Sequence, residues 1–332
     1  MSSTLPPVRP AAAASSEARR PAPARPPAPD WSTARERSNP FALRLMALVA
    51  VHLGRRIARL ALHPIALYFL LFAPAARRHS ARYLGRALGR PAGWRDRYRH
   101  IHAFASTVLD RVYFVRKRLA EFEFRTIDET VVDEALAEGR GVFMLGAHLG
   151  SFEALHALGA ARPGLRVAMV MYPDNARLIH GVLQAIAPGF ELGIIPIGRS
   201  GSTLAIRDWL DDGGLVGLLG DRYLPAESAR CGSLELPFLG VPARFTDGPL
   251  RLAMLLRRRV IFMVALYLGG NRYELRFKLL ADFSTPPADP ADRERQLHAA
   301  LRAYVEQLEA LCRAAPYNWF NFHDFWREDP AA

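Results

Sequence analysis

The sequence predicts an α/β fold with a mostly parallel central sheet, an antiparallel edge and flanking helices, preceded by amphipathic helices. Three observations support this prediction. Short apolar runs bounded by glycine recur after residue 126, and helical segments lie between them. The last two runs are separated by Gly269–Gly270–Asn271, which is typical of a hairpin turn. Alternation of strand and helix favours parallel strands, and the hairpin adds an antiparallel edge.

The chain is strongly basic, with 332 residues and a formal net charge of +12 at pH 7. Such a charge attracts anionic surfaces, so nucleic acid, anionic lipid and an acidic partner protein are all candidates. The basic residues alternate with an apolar face and form no nucleic-acid reading motif, which argues against nucleic acid. Two cysteines, Cys231 and Cys312, are too few for a disulfide framework and lack metal-ligand spacing. A reducing, cytosolic setting fits best.

Three regions are expected along the chain. Residues 1–38 are rich in Pro, Ala and Arg and are predicted to be a disordered tail, with no apolar core of a secretory signal. Residues 39–125 are predicted to be a helical, membrane-associating region. Residues 126–326 are predicted to form the α/β catalytic domain.

Residues 41–76 are strongly apolar but interrupted by basic side chains, which a membrane span would exclude. At about 100° per residue, the basic side chains fall within an arc of roughly 120°. They are Arg44, His52, Arg55, Arg56 and Arg59. This pattern is typical of a helix lying in a membrane interface. A core helix with a solvated basic face, and a single-pass anchor that includes the next apolar stretch, remain alternatives.

The elements follow in order. Further helices are predicted within residues 79–120. Strands are predicted at 141–147, 166–172, 191–198, 214–220, 260–268 and 272–280. Helices are predicted at 151–161, 175–187, 201–213, 244–259 and 289–313.

A histidine follows the first of the buried strands. In such sheets, ligands bind outside the carboxyl ends of the strands, and His148 lies there. Gly146 and Gly150 allow a sharp turn, and Ser151 is a plausible N-cap for the next helix. Glu153 would then lie in the first helical turn, from where its side chain can reach the imidazole. The alternative is structural: the helix dipole alone favours a glutamate there.

The chemistry predicted for His148 and Glu153 is general base catalysis. A carboxylate on one imidazole nitrogen fixes the tautomer, and the other nitrogen can then accept a proton from a hydroxyl or amine. The sequence has no G-x-S-x-G elbow, and neither cysteine has a histidine nearby. We therefore expect direct attack of one substrate on another, without a covalent enzyme intermediate and without a metal or organic cofactor.

The segment His-Leu-Gly-Ser-Phe-Glu is an H-x4-E motif, which resembles that of the lipid A late acyltransferase family within the glycerolipid acyltransferase superfamily. The blocks "GVFMLGAHLGSFEAL", "MYPDNARL", "GLVGLLGDRY" and "LPFLGVPARFTDGPLRLAM" resemble the family's blocks in the same order. The resemblance covers roughly residues 41–325. It implies transfer of a fatty acyl chain from an acyl carrier protein or CoA thioester to a hydroxyl or amine of a membrane lipid. It also implies a location at the cytoplasmic face of the inner membrane.

The same resemblance implies site residues. His148 would be the general base and Glu153 its partner. Asp221 matches the acidic position after the later strand, and Asn175 and Arg177 lie in the block assigned to substrate binding. Arg222 is a candidate phosphate ligand, with a plain salt bridge to Asp221 as the alternative.

Departures from the family pattern leave the acceptor open. The "GDRY" form and the aromatic "NWFNFHDFW" segment at 318–326 resemble a divergent branch associated with aryl-polyene pigment or aminolipid pathways. The aromatic segment fits a membrane interface, a cover for the acyl groove or a lid on the core. Two further readings stay open: an acyltransferase of the phospholipid or ornithine-lipid type, and a non-catalytic carrier of acyl chains or pigment at the membrane surface.

Overall fold

The computed structural model describes His52 and residues 54–172, 193–198, 201–222 and 232–326. The predicted disordered tail, the predicted helix at 175–187 and two predicted site residues, Asn175 and Arg177, lie outside the described residues.

The described part of the chain begins with three helices: α1 at Gly54–Phe72, α2 at Pro74–Leu88 and α3 at Trp94–Val115. Helix α1 buries one residue in every four, which is the spacing of a single packed face; these residues are Ala58, Leu62, Ala66 and Leu70. Its opposite face keeps large apolar side chains exposed. No single described helix has the length and composition to cross a membrane, although α1 and α2 meet those criteria as a pair bent by 94°.

Two arginines of the predicted basic arc, Arg55 and Arg59, contact the protein, whereas Arg44 of that arc lies outside the described residues. Arg55 makes a bidentate ion pair with the fully buried Asp110, at 2.7 and 2.9 Å. Arg59 donates to the carbonyl of Gly270 and to the hydroxyl of Tyr267. A buried carboxylate on α3 needs a cation, and α1 supplies it. Arg55 is therefore neutralised inside the protein, whereas Arg56 on the same helix stays exposed.

A seven-stranded sheet forms the centre of the fold. Its strands are β1 Glu123–Ile127, β2 Val142–Gly146, β3 Val167–Met171, β4 Gly193–Pro196, β5 Leu215–Leu219, β8 Arg259–Tyr267 and β9 Arg272–Asp282. The spatial order is β1-β9-β8-β2-β5-β3-β4. Strands β8, β2, β5, β3 and β4 run parallel, whereas β9 pairs antiparallel with β8 and β1 runs parallel to β9. The predicted fold class is confirmed.

Helices pack on this sheet: α4 at Thr130–Leu136, α5 at Phe152–Ala161, α6 at Ser202–Asp211, α7 at Gly248–Leu255 and α8 at Pro290–Ala314. Strand β2 is buried along its whole length, as expected for a central strand covered on both faces. The helical region shares a core with the sheet, since Ala58 and Leu62 of α1 belong to the same apolar cluster as Tyr273 of β9.

One predicted helix is shorter than expected. Residues 244–259 were predicted to be a helix, but they begin inside a two-stranded ribbon of β6 Ser233–Phe238 and β7 Val241–Thr246. Helix α7 starts only after it. The ribbon turns at Leu239 and Gly240, both with positive φ. Strand β1 also begins slightly before the predicted boundary at 126.

Candidate active site

The carboxyl ends of β2 and β5 bring two distant residues together. The strands are parallel neighbours, with Gly146 of β2 in register with Leu219 of β5. His148 follows Gly146 by two residues, and Asp221 follows Leu219 by two residues. Equal steps from paired positions place both side chains at the same edge of the sheet, where ligands bind in α/β folds.

His148 and Asp221 are joined twice. The imidazole Nδ1 lies 2.8 Å from Oδ1 of Asp221, and the backbone N–H of His148 donates to Oδ2 over 3.0 Å. Because an ionised carboxylate only accepts hydrogen bonds, Nδ1 carries a proton, and in the neutral imidazole the lone pair therefore lies on Nε2. The side chain of His148 is 29% exposed, so Nε2 is within reach of a ligand.

Asp221 is held as a buried anion. Its side chain is 2% exposed. Burial alone would raise the pKa of this carboxyl, but the facing His148 and the charge of Arg222 lower it, and the balance lies well below the usual range. The group therefore stays ionised at neutral pH, as required of an acceptor that fixes a histidine tautomer.

The predicted contact between Glu153 and His148 is not formed. Ser151 caps α5 as predicted, accepting a hydrogen bond from the N–H of Ala154 over 3.2 Å. Glu153 lies in the first turn, as expected, but its carboxylate pairs with Arg111 of α3 at 2.6 Å. The imidazole Nδ1–H donates instead to Asp221, which follows the neighbouring strand β5. The described residues show no hydrogen bond between Glu153 and the imidazole.

Gly150 fixes the path of the histidine loop. Its φ is +73°, and a Cβ at this position would overlap the carbonyl oxygen of Ala265 on β8. Only glycine meets both conditions. The loop amides are already used: Gly150 donates to the carbonyl of Asn318, and Ser151 donates to that of Ala265, both over 2.8 Å.

The segment 318–326 completes the site from the other end of the chain. The indole N–H of Trp319 donates to Oδ2 of Asp221 over 2.9 Å, and the N–H of Phe320 donates to the carbonyl of His148 over 2.7 Å. Trp319 is fully buried and Phe320 nearly so. Of the three predicted roles, the lid on the core matches this packing. Sequence reasoning missed Trp319 as a site residue, although a buried indole N–H requires an acceptor.

Arg222 and His323 lie close enough to Asp221 to interact with it electrostatically. Burial lowers the pKa of Arg222, and the neighbouring Asp221 acts in the opposite direction. Burial, followed by the positive charge of Arg222, lowers the pKa of His323 to about 3, so its imidazole is neutral at pH 7. A guanidinium therefore lies beside the histidine–aspartate pair.

The described cysteine is not activated as a nucleophile. Cys312 is fully buried, and burial raises the pKa of its thiol well above the usual range, which disfavours a thiolate nucleophile. Over the described ranges, no group of three or more His, Cys, Asp or Glu side chains could hold a metal ion.

The described residues form an α/β fold with a histidine hydrogen-bonded to a buried carboxylate at the carboxyl edge of the sheet, the edge at which ligands bind in such folds. The family model for bacterial lipid A biosynthesis acyltransferases matches residues 41–328. The chain belongs to this family, so it is an acyltransferase of lipid biosynthesis and the sequence resemblance is confirmed. No curated protein matches the chain.

Proposed function

We propose that this enzyme transfers an acyl chain from an acyl carrier protein or CoA thioester to a hydroxyl or amine of a membrane lipid, with His148 as general base. The observation that carries the proposal is the Nδ1–Oδ1 hydrogen bond of 2.8 Å to Asp221, which leaves Nε2 as the proton acceptor. Asp221 takes the orienting role that the sequence had suggested for Glu153.

The reaction needs one proton transfer in each direction. Nε2 of His148 removes the proton from the acceptor as its oxygen or nitrogen attacks the thioester carbonyl. The tetrahedral intermediate collapses, the carbon–sulfur bond breaks, and the leaving thiolate takes the proton back from the imidazolium. Asp221 stabilises that imidazolium by its negative charge. No step requires a covalent bond to the enzyme.

The developing oxyanion requires a positive partner. The amides of His148, Gly150 and Ser151 already donate to protein oxygens, which disfavours them for this role. The guanidinium of Arg222 next to Asp221 is the better candidate. Asn175 and Arg177 remain candidate substrate ligands on the basis of the sequence resemblance.

The proposal includes attachment at the cytoplasmic face of the inner membrane, where acyl thioesters and lipid acceptors meet. It is supported by the exposed apolar side chains of α1, among them Leu60 and Phe72, which are 67% and 64% exposed. The net charge of +12 favours an encounter with an acidic carrier protein.

The test is acyl transfer by the purified full-length chain, with acyl carrier protein and CoA thioesters offered separately and bacterial lipid extract as acceptor. Mass spectrometry of the lipids identifies the acylated product, and intact-protein mass spectrometry looks for an acyl-enzyme. We expect an acylated lipid from the wild type, an unmodified enzyme, and a loss of about 10³-fold or more in His148→Ala, since general base catalysis and nucleophile orientation are removed together.

His298→Ala is the matched control, because His298 is a partly exposed histidine of α8 whose recorded ion-pair partner is Glu294. It should retain full activity. Equal activity of His148→Ala and the wild type would overturn the base assignment. A stable acyl-enzyme would overturn direct transfer, and binding of acyl chains without any turnover would favour the carrier reading.

A further inference from the structure

A basic cavity lies on a part of the molecule that does not include His148. It has a volume of about 640 Å³ and is bordered by α1, α3 and the turn between β8 and β9. Its wall includes Arg55, Arg56, Arg59, Leu60, His63 and His102, together with one acidic residue, Glu121, which pairs with Arg118. Neither His148 nor Asp221 belongs to this wall, so the proposed reaction leaves the cavity unexplained.

The positive charge of the cavity is only partly neutralised. Asp110 neutralises Arg55 through their bidentate pair. Arg59 donates to neutral oxygens, those of Gly270 and Tyr267, at 2.8 and 2.9 Å. Arg56 is exposed, and no ion pair among the described residues involves Arg56 or Arg59. Arg56 and Arg59 therefore carry positive charge at the cavity without an ion pair of their own, and two hydrogen bonds fix the orientation of Arg59. The carboxylate of Glu121 in the same wall pairs with Arg118.

The wall also contains an unused polar atom. Nε2 of His102 is buried and makes no hydrogen bond. Burial, followed by the charges of His63 and Arg59, lowers the pKa of His102, so its ring is neutral at pH 7. A buried ring nitrogen without a partner is costly, and a ligand oxygen in the cavity would satisfy it. The neighbouring ring of His63 stacks on His102 with centroids 4.8 Å apart.

An apolar stripe starts at the mouth of the cavity. Leu60 lines the cavity and is 67% exposed. At 100° per residue, Leu67 and Leu71 lie within about 40° of it on the surface of α1. Both are about half exposed, and the neighbouring Tyr68 and Phe72 are more so. An exposed apolar stripe next to the arginines of the cavity matches the two parts of an anionic lipid, its phosphate and its acyl chains.

We propose that this cavity binds the phosphate headgroup of an anionic membrane lipid while the apolar stripe of α1 contacts the acyl chains. The site is distinct from the acceptor site at His148. It would hold the enzyme at the membrane through a bound lipid that is not consumed.

The test is binding of the full-length chain to vesicles, and it requires no turnover, so its outcome is independent of the proposed transferase activity. Vesicles of phosphatidylcholine alone are compared with vesicles containing phosphatidylglycerol, by co-sedimentation. The double variant Arg56→Gln/Arg59→Gln should bind phosphatidylglycerol vesicles roughly 30-fold more weakly, about fivefold per charge. Its binding to phosphatidylcholine should stay within twofold of the wild type.

Arg295→Gln/Arg313→Gln is the matched control, since it removes two charges from exposed positions on α8. We expect less than a twofold effect on either kind of vesicle. Arg56→Glu adds a variant at an exposed position that cannot disturb the core, and it should weaken the phosphatidylglycerol preference by at least fivefold, because it reverses one charge. Equal losses in the cavity and α8 variants would overturn the proposal, since they would indicate attraction by net charge alone.

Inorganic phosphate separates the two sources of the anion. The lipid proposal predicts that 10 mM phosphate leaves vesicle binding nearly unchanged at constant ionic strength, because the acyl chains add to the affinity. Full displacement of the vesicles by phosphate would identify a free-phosphate site instead and would overturn the proposal.

Discussion

Replacing Asp221 by asparagine tests the pair at the centre of the site. The carboxylate receives three hydrogen bonds: two from His148, through Nδ1 and the backbone N–H, and one from the indole of Trp319. Asparagine keeps the shape of the side chain but offers one oxygen and one NH₂ group. Whichever way the amide turns, an NH₂ group faces at least one of these donors.

The expected loss follows from that count. If the amide oxygen faces Nδ1, the NH₂ group opposes two donors; if it is flipped, Nδ1 must become an acceptor and Nε2 takes the proton. In the second case the base is blocked, and in both cases the imidazolium loses its counter-charge. We expect kcat to fall by about 10³- to 10⁴-fold, which corresponds to about 4 to 5.5 kcal/mol of transition-state stabilisation. In the first orientation, loss of two hydrogen bonds to a charged group lowers the unfolding free energy by about 3 to 6 kcal/mol as well.

The assay compares kcat and KM for acyl transfer with the unfolding midpoint, so that loss of folding is distinguished from loss of catalysis. Glu153→Gln is the matched control, because it makes the same change in a carboxylate that pairs with Arg111 and is 21% exposed. We expect less than a tenfold change in kcat for it. A Glu153→Gln variant that is inactive, beside an active Asp221→Asn variant, would refute the assignment and restore the original prediction for Glu153.

Two other predictions concern the supports of the pair. Trp319→Phe keeps the ring and removes the donor to Asp221, so kcat should fall about tenfold with KM within twofold; a change in KM alone would contradict a positioning role. His100 is fully buried, its Nε2 donates to the carbonyl of Trp319, and burial lowers its pKa to about 4. Because this value lies below the unfolded value of about 6.5, the neutral ring stabilises the fold above pH 6.5, and this contribution, at most about 3 kcal/mol, is lost as the pH falls from 6.5 to 4. Thermal melts from pH 7.5 to 4.5 should show a smaller acid loss in His100→Gln, and identical pH profiles for variant and wild type would contradict it.

Most strands of the sheet could be predicted from the sequence, but the hydrogen-bond partner of His148 could not. Short apolar runs indicate buried strands, so the ends of β2 and β5 could be predicted. His148 and Asp221 follow these ends and could therefore be placed at the carboxyl edge of the sheet. That β2 and β5 are neighbours depends on the order of the strands, which a local pattern does not encode. Glu153 was chosen because it is near in sequence, whereas the contact belongs to a residue 73 positions away.

Two other differences have the same origin. For the basic arc, both a membrane interface and a core helix with a solvated basic face were predicted as possible, because the periodicity of a helix shows which residues share a face but not what that face meets. Asp110, on another helix, turns Arg55 inward. In the β6–β7 ribbon, Gly240 indicated a turn, and the backbone does turn there with positive φ. Residues 244–246, at the end of β7, were nevertheless assigned to the following helix.

The hydrogen bond from Trp319 to Asp221 joins residues that are 98 positions apart in sequence, and the one from His148 to Asp221 joins residues 73 positions apart. Loops of this size close slowly, because the chain loses conformational entropy before the stabilising contacts form. The centre of the enzyme should therefore mature late in folding, after the sheet and α8 have formed. A chain that lost the segment beyond α8 would lose the buried aromatic rings of Trp319 and Trp326 together with the hydrogen bond to Asp221, so cleavage of this short connection should inactivate the enzyme.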